Sequence, residues 1–152
     1  MKFQVSDTGI DASALSAELE DVRCGAMASF EGRVRDHNEG QEVLRLEYEV
    51  YRPLATAEGM NILNEARSRF DIADAVCAHR EGVLEVGETA VIVLVVAAHR
   101  DAAFKACRFI IDEVKRRLPI WKKEHYADGQ AHWVNCRIDD SAGAGTRSGS
   151  GP

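Results

Sequence analysis

The chain has 152 residues, 45% of them hydrophobic and 29% charged. That is length enough for one domain with a real core, and too apolar a balance for a disordered chain. With 19 Lys and Arg against 25 Asp and Glu the net charge is −6, which argues against a general nucleic-acid binder and makes any local cluster of cations more telling. Met1 to Ile10 has neither a basic start nor an apolar run, so no signal peptide is expected. Asp11 to Arg23 has an acidic start and Leu15, Leu19 and Val22 at helical spacing, which predicts a helix. Ala26, Ala28, Phe30, Gly32 and Val34 alternate with more polar residues, as do Leu44, Leu46, Tyr48 and Val50. Two strands follow, joined as a hairpin with its turn at Gly40. Pro53 suits the first turn of a helix to about Phe70, with Leu54, Ala57, Leu63, Ala66 and Phe70 on its inner side.

Ala75 to Leu84 reads as one strand and Gly87-Glu88 as a turn. Val91 to Ala98 is almost wholly apolar and β-branched, the pattern of a strand covered on both faces. The longest apolar run, Ala90 to Ala98, is too short to span a bilayer, and a cytoplasmic protein with no membrane contact is expected. Asp101 is the expected cap of a helix from Ala102 to Leu118, which Pro119 ends. Asp128-Gly129 is a turn, and His132 to Arg137 a last short strand. This order predicts an α+β domain over residues 1–140, with about three helices packed on a mainly antiparallel sheet. Residues 141–152 are mostly Gly, Ser, Ala and Thr, and a disordered tail is expected there.

Three stretches gather cations at the ends of these elements. Lys115 through Glu124 sets five cations around Pro119 and Trp121 where the long helix stops. Such a cluster either balances the helix C-terminus or lines a pocket for an anion. On the helix, Phe104, Cys107, Ile110, Ile111, Val114 and Leu118 share one broad apolar face, and Lys115 lies beside it. Partial burial and neighbouring cations would favour a neutral, nucleophilic amine there; the alternative is a lysine whose stem covers apolar surface while its head stays in water. Pro119 predicts that the following segment turns back over the sheet, with Trp121 as a packing anchor, Lys122 held in place and Lys123 solvated.

The second stretch is Arg33-Val34-Arg35-Asp36-His37-Asn38. Arg33 and Arg35 lie two apart on a strand and share a face, which suits forked hydrogen bonding to phosphate or carboxylate. Cross-strand pairing with Glu47 or Glu49 is the alternative, above all for Arg33. The third is His99-Arg100, between the most apolar strand and a helix start, where backbone N–H groups favour anions. Cys24, Cys77, Cys107 and Cys136 are far apart, without metal-ligand spacing to each other or to any His, and read as packing thiols. No metal or other cofactor is expected.

These stretches resemble the signatures of one family. Gly32 through Gly40, Ala98-His99-Arg100 with Ala103-Phe104, Lys115 through Glu124, and Gly129 through Trp133 are similar, in order and spacing, to motifs of the molybdopterin synthase large (catalytic) subunit. The resemblance runs from about Ala26 to Arg137. It implies an α/β-hammerhead fold and a sulfurtransferase of molybdenum cofactor biosynthesis, which converts cyclic pyranopterin monophosphate to molybdopterin. The sulfur donor it implies is a small ubiquitin-like subunit ending in a Gly-Gly thiocarboxylate, in a heterotetramer with two large subunits paired at its centre. By the same resemblance Lys115 and Lys122 are catalytic, and Arg33, Arg35, His99, Arg100, Lys123 and Glu124 bind substrate. A non-catalytic phosphate- or nucleotide-binding module and a scaffold for an acidic partner are the competing readings.

Overall fold

In the computed structural model, which describes residues 1–135, the chain runs β1 (Lys2–Ser6), α1 (Ala12–Ala17), β2 (Ala26–Arg33), β3 (His37–Asn38), β4 (Gln41–Val50), α2 (Arg52–Arg69), β5 (Asp74–Arg80), β6 (Gly82–Glu85), β7 (Thr89–Ala97), α3 (Arg100–Arg117), β8 (Ile120–Tyr126) and β9 (Ala131–Asn135). The strands form two sheets. The first has the order β1-β5-β7-β2, antiparallel except for the parallel pair β1 and β5. The second has the order β3-β4-β8-β9, with β6 also paired to β4. The expected α+β architecture with three helices and mainly antiparallel pairing is present. The 141–152 tail lies outside the described residues.

β7 organises the first sheet because it is buried on both faces. Val91, Val93 and Val95 pack under α2 and α3 with Ile62, Leu63, Ile110 and Val114, while Ile92, Leu94 and Val96 meet Leu15 and Leu19 on the α1 side. The result is a three-layer stack in which apolar burial, at about 25 cal/mol per Å², is the main stabilising term. α2 comes close enough to β1 that a Cβ on Gly59 would lie 2.3 Å from the Phe3 ring. Any larger residue there would push the helix off the strand. A separate small core of Val34, Val43, Leu46, Leu84, Ala90 and Tyr126 lies under the second sheet.

Several expectations change. The N-terminal strand β1 was not foreseen: it is short and its partner is more than 70 residues away. The hairpin between the strands at Ala26–Val34 and Leu44–Val50 does not form. β2 pairs with β7, whose second edge needs a neighbour, and β4 leaves for the second sheet. The strand predicted at Ala75–Leu84 is two strands, because Gly82 at φ 88° turns the chain between sheets. The first helix stops at Ala17, and Val22 is fully exposed. In α2 the buried residues are Ala55, Gly59, Ile62, Leu63 and Ala66, whereas Leu54 and Ala57 face water. α3 is capped by the backbone of His99, not by Asp101, which pairs with Lys105 at 2.8 Å. Phe104, expected on the apolar face, is 66% exposed. The last strand begins at Ala131, and the part of the predicted strand beyond Asn135 is outside the described residues.

Candidate functional site

A cavity of about 300 Å³ opens where the two sheets meet the C-terminal half of α3. Its floor is a row across three strands, Gly32 of β2, Val91 of β7 and His79 of β5, in register with one another. One wall is α3, through Ile111, Val114 and Lys115. The other is the second sheet, through Leu46 and Tyr48 of β4 and Ile120, Lys122 and Glu124 of β8. Arg33, Arg35, His37 and Asn38 come in from the segment that links the sheets.

Strand geometry explains which residues of the basic cluster reach this cavity. Pro119 ends α3, as expected, but the chain does not simply lie over the sheet: it enters β8. Alternation then turns Ile120, Lys122 and Glu124 toward the cavity and Trp121 and Lys123 away. Trp121 is 44% exposed, so it is not the predicted packing anchor. Lys123 lies over the outward-facing Trp133 ring, 5.4 Å from its centroid, and does not line the cavity.

Glu124 is buried among donors. It accepts from Asn38 Nδ2 at 2.9 Å and from the Tyr126 hydroxyl, and pairs with Lys122 Nζ at 3.3 Å. Burial alone would raise its carboxyl, yet the bonds from Tyr126 and Asn38 and the Lys122 charge outweigh that and hold it below the usual carboxylate range. Its partners leave it to fix Lys122 in place.

The arginines divide similarly. Arg33 is paired with Glu31 on its own strand, at 3.0 Å, and not with Glu47 or Glu49. Glu47 instead faces His125 at 3.4 Å. A register shift between Gly32 and Arg33 ends the regular pairing of β2 just where the cavity begins. Among the described residues, neither Arg35 nor Lys115 has an ion pair or side-chain hydrogen bond, and both face the cavity. Lys115 is exposed, so lack of a counter-charge, not burial, sets it apart. The neighbouring Arg117 is committed elsewhere, to Glu58, Glu65 and Glu113, where it ties α3 to α2.

His99 and Arg100 sit at the opposite end of α3, about 22 Å from Lys115 along the helix axis. They do not line this cavity. His79 does, and no motif in the sequence singles it out. The one available signal was its place two residues after Cys77 on the inner face of an apolar strand. Cys77 and Cys107 are buried, and burial pushes the Cys107 thiol up to about 11 and that of Cys77 further still. Cys24 is partly exposed, and Cys136 lies outside the described residues.

The arrangement presents four cations to one enclosed space, two of them uncompensated, with no cysteine in the lining. It can hold an anion and stabilise charge developing on it, but it carries no sulfur of its own.

Residues 5–117 match the family model described as MoaE protein. The chain is 48% identical over 110 residues to the molybdopterin synthase catalytic subunit of Pyrococcus abyssi, covering 72% of this chain and 74% of that one. It is 36% identical over 141 residues to the protein of that name from Bacillus subtilis, covering 93% and 89%. The structure superposes on molybdopterin synthase from Staphylococcus aureus with a TM-score of 0.83 and 30% identity, over 87% of this chain and 96% of the other. The family match includes the stretch that carries Arg33, Arg35 and Lys115, and the sequence and structural matches each cover most of the chain: the chain belongs to the MoaE family.

Proposed function

We propose that this chain is the catalytic subunit of a molybdopterin synthase. It binds cyclic pyranopterin monophosphate in the cavity beside Lys115 and installs the two dithiolene sulfurs. The sulfur comes from the C-terminal Gly-Gly thiocarboxylate of a small ubiquitin-like partner. The observation that carries this reading is the convergence of Arg35, Lys115 and Lys122, from three separate segments, on one cavity that holds no thiol.

The roles follow from the geometry. Arg35, with Arg33 beside it, offers guanidinium groups to the cyclic phosphate. Lys115, free of a counter-charge among the described residues, is the group that moves a proton or takes the acyl end of the partner when its sulfur leaves. Lys122, oriented by Glu124, stabilises charge as the phosphate ring opens. Lys123 and Glu124 lose their place as substrate ligands: one faces away and the other is spent on its neighbours. His99 and Arg100 are too far from Lys115 to serve the same cavity, so they bind substrate only in the cavity of a second copy. The expected pairing of two large subunits would supply it.

The free thiols at Cys24, Cys77 and Cys107 suit a reducing compartment such as the cytoplasm. No helix of the described residues is long and apolar enough to cross a membrane. The test is to mix the chain with the thiocarboxylated partner and the cyclic pterin and to assay dithiolene product. Product requires the partner and survives alanine at Cys24, Cys77 and Cys107. Pterin binding without product would leave a phosphate-binding module, and dependence on one of the cysteines would replace the partner-delivered route with a cysteine relay.

A further inference from the structure

The roles above leave both cavity histidines unused: His37 is exposed and paired with Asp36 at 2.6 Å, whereas His79 is buried and has no acidic partner among the described residues. It is 7% exposed and stands on the floor, two strands in from Gly32 and beneath the Lys115 wall. Its Nδ1 lies 2.7 Å from the carbonyl oxygen of Arg80. A carbonyl only accepts, so Nδ1 carries the proton. In the neutral ring the lone pair is then on Nε2, for which no protein donor is present among the described residues. The ring cannot swing away, because Tyr48 meets it edge to face with centroids 5.1 Å apart.

The groups that face His79 settle what this lone pair is for. Lys115 comes from α3, Lys122 and Glu124 from β8, Arg33 from the end of β2, Arg35 and His37 from the segment after it, and Tyr48 from β4, while β7 contributes only the apolar Ala90 and Val91. Lys122 is held by Glu124 and Arg33 by Glu31. Lys115 has no acceptor among the described residues, and it is close enough that its charge acts on the imidazole. Among the described residues, an acceptor that opens into the cavity without a donor and a lysine without an acceptor line the same small space.

We propose that His79 is a positioning residue for Lys115: its Nε2 lone pair accepts a hydrogen bond from the Lys115 amine and draws that side chain from solvent into the cavity, over the bound substrate. This rests on Lys115 being the reacting group. Burial first, and the Lys115 charge second, against the raising pull of the Arg80 carbonyl, bring His79 down to about 4, so the ring remains an acceptor at any pH near neutral.

Two substitutions separate this role from a structural one. In His79→Asn the shorter amide occupies the place of Nδ1 and keeps the bond to the Arg80 carbonyl, but nothing reaches toward Lys115. In His79→Gln the longer amide occupies the place of Nε2 and keeps the acceptor, but gives up the backbone bond. Each variant is assayed as the full chain with its thiocarboxylated partner and the cyclic pterin, beside thermal melts. The expected result is a loss of roughly tenfold to hundredfold in kcat for His79→Asn, with KM for the pterin within about twofold of the parent, and near-parental kcat for His79→Gln. Activity that follows the melting temperatures, an active Asn variant, or equal losses in both overturns the proposal. Lys115→Ala in the same assay keeps the two readings apart. Undiminished transfer there removes Lys115 from the chemistry, and the His79 proposal with it, whereas a dead Lys115→Ala beside an active His79→Asn sinks the His79 proposal alone.

Discussion

Lys122 and Glu124, two residues apart on β8, form an ion pair at 3.3 Å in which the carboxylate is only 2% exposed. Glu124 therefore sets where a cavity lysine points, and the pair is part of the fold as well as the site. Replacing Glu124 with Ala leaves Lys122, Asn38 and Tyr126 without their shared acceptor. The expected cost is about 3 kcal/mol, because the partner charge stays behind in a mostly buried place. Glu124→Gln, which keeps an acceptor, loses less. Denaturant melts of the two variants check the order, and equal stabilities would show that the carboxylate carries no charge-specific role.

Anion binding is local despite the acidic total charge. Arg35→Ala is expected to weaken binding of the pterin phosphate by roughly 1–3 kcal/mol, the range for a charge-assisted contact. Arg33→Ala costs less, since that guanidinium already has Glu31. Arg23→Ala and Arg69→Ala should change nothing: the first pairs with Asp21, and the second lies over Phe109. Calorimetric titration of the four variants decides the matter, and similar losses at all four would mean a diffuse field.

Acid should destabilise the fold in a window set by His79. The ring is neutral in the folded protein down to about pH 4, whereas an unfolded histidine takes up a proton near its ordinary value of 6.5. Between these values the unfolded chain binds more protons, so stability is complete above about pH 6.5 and falls as the pH drops toward 4. The total loss from this group is on the order of 3 kcal/mol. Glu124, held below the carboxylate range, adds a second loss at lower pH. Urea melts at pH 7, 5.5 and 4 should show the first step in the parent and a flatter profile in His79→Gln. The same slope in both would assign the loss to other groups.

Short-range chemistry was legible in the sequence, and long-range pairing was not. The cations at Arg33, Arg35, Lys115 and Lys122 stood out in the sequence as clusters near the junctions of elements, and all four line the cavity. That Trp121 points outward and Lys122 inward depends on β8 being a strand, and the strand exists only because β4 and β9 flank it. The expected β2–β4 hairpin failed for a related reason. Alternation predicts that a segment is a strand, but its partner is chosen by which edge most needs covering, and the doubly buried β7 took β2. Phe104 lies at the margin of the apolar face of α3, and helical projection alone does not show that the edge strand β2 leaves it uncovered. The local signal of His79, sharing the inner face of its strand with Cys77, marks it as inward-facing but not as a cavity residue; the register of three strands puts it on the floor.

The most direct test of the account is sulfur transfer by Lys115→Ala and Lys115→Arg, with pterin binding measured on the same samples. The side chain is exposed and outside the apolar core, so both variants should fold and bind the cyclic pterin. Transfer should fall by at least about a hundredfold in each, because arginine keeps the charge but gives up no proton near neutral pH. Full transfer by Lys115→Arg would show that the cavity needs only positive charge there, and would contradict the assignment of Lys115 as the reacting group.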